Sequence, residues 1–278
     1  MLSAPRALVI ATVSCVLLAV ATTSAQINFE KTGYYLSLGD SVAAGEGALP
    51  ATHGFVYQLY DRGVFGRTAV MDFGNIGIKG ATADDVQMLQ VPETLCIQPP
   101  RIGVAPSVIT VTAGANDFFV YIATNGVPPD PLTTIPIVAD AIAAKVANII
   151  RSLVFGMGGL PPYCAQSGIP GIRVLVFNYY GFKHPDPQIN FVLDLAVQSF
   201  SAGLQARIAQ INADIQTSGK TARVGFVDTL SAMEGRSGLL LIEKRNGFAG
   251  GLDFEIHPTN AGHTVIAGEF ERVWNSLH

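Results

Sequence analysis

Charge is scarce in this chain of 278 residues: Lys, Arg, Asp and Glu together make up 14% of it, with 17 basic against 21 acidic side chains and a net charge of −4. Nothing in that balance recruits a nucleic acid or an anionic membrane by charge, so neither is expected as a partner. Cysteine is equally scarce, with three residues. There is no His-Glu-x-x-His sequence and no cluster of Cys and His, which excludes the usual zinc-binding patterns, so no metal is expected. Gly-x-Gly-x-x-Gly and Walker sequences are also missing, and no nucleotide cofactor is expected. Beyond the N-terminus no apolar run is long enough for a membrane helix. The 29 Gly and 16 Pro are scattered without a period among 49% hydrophobic residues, which is a globular composition.

The one long apolar run follows Arg6 and covers 7–20, and Thr23, Ser24 and Ala25 then supply small residues suited to cleavage. Residues 1–25 therefore read as a signal peptide and 26–278 as a single exported domain, with no stable membrane insertion after cleavage and an extracellular or periplasmic location. An uncleaved anchor is the alternative. Removing 1–25 takes away Arg6 and no acid, leaving a net charge of −5. It also removes Cys15, so Cys96 and Cys164 remain as an even pair in an oxidising compartment. They are expected to form a disulfide, with two separate buried thiols as the alternative.

Apolar, β-branched runs at 34–38, 108–112, 173–177 and 224–227 read as strands, each followed by Gly, Asn or Asp. Between them, 83–89, 137–153, 191–215 and 260–277 carry apolar residues at helical spacing. Strand and helix alternating in this way indicate a parallel α/β sheet with helices on both faces. The weakly charged helix at 137–153 reads as an ordinary core-facing one, with an apolar wall beside the site as the alternative.

Four blocks fall at predicted strand ends, where open α/β sheets build their clefts. Gly39-Asp40-Ser41 ends the first strand and can place Ser41 at a helix N-terminus, where its own N–H faces an anion. Gly80 precedes a helix and can bring a bare backbone N–H close to a ligand. Asn116, in Gly114-Ala115-Asn116-Asp117, can project an amide donor from the third. His257, before Pro258 and Thr259, lies in the loop ahead of a C-terminal helix, where a neutral imidazole can accept a serine proton. Singly, each block also reads as a turn. Asp40 and Asp117 read as loop supports, and His263 as a capping or packing residue.

In this order, Gly-Asp-Ser near the mature N-terminus, then Gly80, Gly114-x-Asn116-Asp117 and His257-Pro resemble the SGNH (GDSL-type) hydrolase family. The resemblance implies a three-layer α/β/α sandwich of the flavodoxin-like kind with about five mainly parallel strands. It implies an oxyanion hole of Ser41, Gly80 and Asn116, and small-molecule or lipid ester substrates. Secreted esterase or lipase activity, through an acyl-enzyme on Ser41 with His257 as base, is the expected function. The same residues suit a glycan O-deacetylase or acyltransferase, and a non-catalytic binding protein on this fold is a third reading. An α/β-hydrolase is a poor match, since Ala43 stands where the second Gly of Gly-x-Ser-x-Gly would follow Gly39.

One position departs from the pattern. The family commonly carries Asp three residues before its histidine, and here that residue is Phe254. Asp253 or Glu255 can take its place as third triad member, or a backbone carbonyl can replace both.

Overall fold

The computed structural model describes residues 34–66, 73–96, 106–184, 186–236, 238–240 and 256–277. The expected boundary at 25/26 lies outside these residues. Five strands form one all-parallel sheet: β1 (Tyr34–Gly39), β2 (Phe73–Asn75), β3 (Pro106–Thr112), β4 (Arg173–Phe177) and β5 (Arg223–Val227), in spatial order β2-β1-β3-β4-β5. Every residue of β1 is buried, as a strand covered on both faces must be, which is why it reads as a continuous apolar run.

The helices are α1 (Phe55–Asp61), α2 (Ala83–Asp85), a π-helical turn (Val86–Gln90), α3 (Val91–Cys96), α4 (Ala115–Asn125), α5 (Pro131–Phe155), α6 (Pro187–Thr217), α7 (Thr229–Met233) and α8 (Asn260–Ser276). α1 packs with α8 and α5 with α6, and the two pairs cover the two faces of the sheet. Phe55 of α1 stacks on Phe270 of α8 with ring centroids 4.9 Å apart. The helix expected at 137–153 is the middle of α5, and its stripe from Ile135 to Val154 is buried. Side chains set the helix starts: Asp186 accepts from the N–H groups of Gln188 and Ile189, and Thr259 from that of Gly262.

Strand order reverses at β1. The chain moves outward from it to β2, then returns to its other side for β3, opening a crevice between the C-terminal ends of β1 and β3. Cys96 and Cys164 are joined as a disulfide, which ties the end of α3 to the segment after α5. Beside the bridge, Ala165 N–H donates to Leu95 C=O at 2.8 Å.

Candidate active site

At the C-terminal ends of β1 and β3 the structure brings Ser41 to His257, and Asn116 to the Gly80 turn. Ser41 Oγ lies 2.7 Å from His257 Nε2, and both residues are nearly buried, at 7% and 4% exposure. Ser41 leaves β1 through Gly39, whose φ of +139° and contact with Thr112 exclude a side chain: a Cβ there would lie 2.1 Å from Thr112 O.

No helix starts at Ser41, contrary to expectation. Residues 41–47 form consecutive turns, because Gly45 and Gly47 adopt φ of +85° and +87°, left-handed values that an α-helix cannot contain. Gly47 brings this loop onto the histidine; a Cβ there would lie 2.8 Å from His257 Cβ and 2.3 Å from Pro258 O.

Asp40 is fully buried and accepts three hydrogen bonds, from Val42 N–H at 3.0 Å, from Thr112 Oγ1 at 2.9 Å and from the Tyr179 hydroxyl. Burial pushes its carboxyl above the usual range, while the three donors, Tyr179 foremost, oppose that. Tyr179 is held far above its ordinary value by burial and by the Asp40 charge, so it keeps its proton and donates it; it also receives the N–H of Ala115. One phenol thus links the residue before the serine to the residue before Asn116.

Asn116 lies in the first turn of α4, and its Nδ2 donates to Ala81 C=O at 2.9 Å, which sets the amide beside the Gly80 turn. Gly80 is exposed, with φ of +81° and no atom within 4 Å of where a Cβ would stand. Asp117 accepts from Ala83 N–H at 2.6 Å and pairs with Lys145 at 3.2 Å. Asp40 and Asp117 therefore tie loops, the role their positions suggest.

His263 is fully buried on α8. Its Nδ1 accepts the N–H of Phe55 at 3.2 Å, so Nε2 carries the proton and donates to Glu46 C=O at 2.9 Å. It caps α1 and anchors the nucleophile loop. Burial lowers its pKa to about 4, which keeps it neutral.

Asp253, Phe254 and Glu255 lie outside the described residues. Sequence reasoning missed three supports. Gln90 accepts from Gly39 N–H at 2.7 Å and donates to Gly39 C=O at 2.8 Å. Tyr179 bridges two loops, and Tyr180 donates to Ile256 C=O at 3.2 Å, directly before His257.

Among the described residues no three His, Cys, Asp or Glu side chains converge as metal ligands, and no helix is long and apolar enough to cross a membrane.

No curated protein sequence matches the chain. The fold is similar to that of the lipase Lip_vut3 from a goat rumen metagenome, with a TM-score of 0.58 at 15% identity, over 87% of this chain and 97% of that one. It is also similar to phospholipase A1 from Streptomyces albidoflavus NA297, with a TM-score of 0.53 at 19% identity, over 89% and 100%. A carbohydrate acetylesterase family member from Sinorhizobium meliloti gives 0.54 at 12%, over 88% and 99%. These identities speak to the fold alone. The family model described as GDSL-like Lipase/Acylhydrolase matches residues 37–265, a span that begins within β1 and includes Ser41, the Gly80 and Asn116 turns and His257. The chain belongs to the GDSL-like lipase/acylhydrolase family of hydrolases.

Proposed function

We propose that this protein is a secreted serine hydrolase of carboxylic esters, made with residues 1–25 as a signal peptide and acting as the domain 26–278. The observation that carries the reading is the 2.7 Å approach of Ser41 Oγ to His257 Nε2. An uncharged imidazole nitrogen at that distance accepts the hydroxyl proton as the serine attacks. A binding protein would have no need of such a pair at the head of a crevice.

The reaction runs in two halves. Ser41 Oγ bonds to the ester carbonyl carbon while its proton moves to His257. The carbonyl oxygen becomes an oxyanion facing the N–H groups of Ser41 and Gly80 and the Asn116 amide. Collapse expels the alcohol, which takes the proton from His257. Water then attacks the acyl-enzyme with His257 again as base, and the carboxylic acid leaves. Asp253, Glu255 or a backbone carbonyl completes the support of His257.

Hydrolysis of p-nitrophenyl esters by the wild type and by Ser41→Ala tests the reading. Turnover is expected to fall at least about a thousandfold in the variant with folding unchanged. Asn116→Ala is expected to lower kcat about a hundredfold through the lost oxyanion donor. Undiminished turnover by purified Ser41→Ala would overturn the assignment.

A further inference from the structure

Ser41 follows Asp40 in the chain, and His257 follows Ile256. Asp40 accepts the Tyr179 hydroxyl, and Ile256 C=O accepts the Tyr180 hydroxyl at 3.2 Å. The two donors are consecutive residues of the loop that leaves β4. Three hydrogen bonds and three pairs of adjacent residues thus close a ring. It runs from Ser41 and Asp40 through Tyr179 and Tyr180 to Ile256 and His257, and returns to Ser41 across the 2.7 Å contact.

The tyrosine side of this ring is firmly seated. Asn178 N–H donates to Val227 C=O at 3.1 Å, which ties the start of the loop to the end of β5. The buried Asn178 amide accepts from Thr229 N–H at 2.7 Å and donates to Ser201 Oγ of α6 at 2.7 Å and to Asp228 Oδ1 at 2.9 Å. Tyr179 and Tyr180 are themselves buried, with ring centroids 4.8 Å from Phe177 and 5.3 Å from Phe182 respectively. Neither ring can swing aside without opening a void in the core, and a buried hydroxyl resists leaving its acceptor.

The catalytic pair needs such a seat. Ser41 and His257 are 216 residues apart and belong to different parts of the fold, the end of β1 and the loop before α8. Gln90 secures the serine side through Gly39, whereas the ring ties both sides to one another. Each anchored residue stands next to the group it serves, about 3.8 Å away between Cα atoms, so a shift of either tyrosine passes to the Oγ to Nε2 contact with little slack. A misplacement of about 1 Å at a reacting centre can cost on the order of a hundredfold in rate.

We propose that Tyr179 and Tyr180 are positioning residues for the hydrolysis, and that together they set the separation of Ser41 Oγ and His257 Nε2 at which the proton is transferred. Both act through the residues they hold. The inference rests on the serine ester hydrolase reading and adds to it the device that keeps the pair in register.

The test compares the wild type with Tyr179→Phe, Tyr180→Phe and the double variant. It measures kcat and KM on p-nitrophenyl acetate and the rate at which a fluorophosphonate labels Ser41, which reports nucleophilic attack free of any later step. Each single change is expected to lower kcat and the labelling rate together by about tenfold, with KM within about twofold of the wild type. The double variant is expected to fall near the weaker single one instead of about a hundredfold down, because one open joint already releases the ring. Two supports that merely stabilised separate loops would lower the melting temperature and leave kcat alone where the protein is folded. Phe keeps both aromatic contacts, and thermal melts fix the temperature at which every variant is folded. Should Tyr179→Phe fail to fold for want of a donor to Asp40, Tyr180→Phe decides by itself. An unchanged kcat in the folded single variants, or losses that multiply in the double one, would overturn the proposal while wild-type turnover and labelling left the hydrolase reading standing. A wild type with neither turnover nor labelling would overturn both.

Discussion

His257 and His263 sit on consecutive stretches of the same segment, one at the loop and one inside α8, and their surroundings separate their roles. His263 has no access to water and is pinned on both nitrogens, by Phe55 N–H and Glu46 C=O. Its neutral form is required for the first of these bonds. The folded pKa of about 4 lies below the ordinary 6.5, so between those values the unfolded chain binds a proton that the folded chain rejects. Stability from this site is therefore complete above pH 6.5, is lost as pH falls toward 4 and changes no further below that. The loss amounts to roughly 3 kcal/mol. His263→Gln keeps a donor and an acceptor but does not titrate. Urea unfolding of both proteins from pH 7 to pH 4 is expected to show the wild type losing its advantage by that amount, whereas parallel curves would contradict it. At this scale the sequence was informative where chemistry and turn geometry coincide. Ser41, Gly80, Asn116 and His257 each stand in a short block with Gly or Pro beside them. Tyr179 and Tyr180 were not legible, because each acts on backbone or carboxyl groups far along the chain, which no local pattern announces.

The end of β1 shows how an element can be secured from outside the sheet. Gly39 must stay bare to pass Thr112, and its own N–H and C=O are both gripped by the buried amide of Gln90. Gln90 reaches that position from the π-helical turn, where the extra residue widens the coil. Gln90→Ala removes two bonds and leaves the Gly39 N–H buried without a partner. The expected cost is about 1–3 kcal/mol in unfolding experiments, with a drop in kcat because the strand carrying Ser41 loosens. An unchanged kcat in a destabilised Gln90→Ala would limit this clamp to stability. The same scale explains what was readable in the fold. β1, β3, β4 and β5 are buried, β-branched runs with clear ends, whereas β2 is three half-buried residues at the sheet edge, including Gly74 under the Tyr34 ring. Too short to show a pattern, β2 reads as part of the turn toward Gly80. A π turn leaves no distinct signal either, since its spacing departs from an α-helix by a single residue.

Across the whole molecule, one covalent bond spans the region that the site depends on. Cys96 and Cys164 are 68 residues apart, and the loop they close contains β3, the Asn116 turn and α5. The even pair of mature cysteines was visible in the sequence; that their backbones meet, with Cα atoms 4.2 Å apart, depends on α3 and the segment after α5 packing side by side. Closing a loop of that length restricts the unfolded chain by about 4 kcal/mol in the chain-entropy account. Neither cysteine touches Ser41 or its donors in the hydrogen-bond network, so the bond acts on the unfolded ensemble more than on the site. The paired replacement Cys96→Ser with Cys164→Ser is accordingly expected to lower Tm by about 10 °C while leaving kcat at 25 °C close to that of the oxidised protein. Dithiothreitol should shift the wild-type melt by the same amount and leave the variant unmoved. That comparison separates the cross-link from the substitutions themselves: a wild-type melt insensitive to reductant would mean that the bridge contributes little, and a variant with normal Tm but lost kcat would mean that it holds the Asn116 turn in place instead.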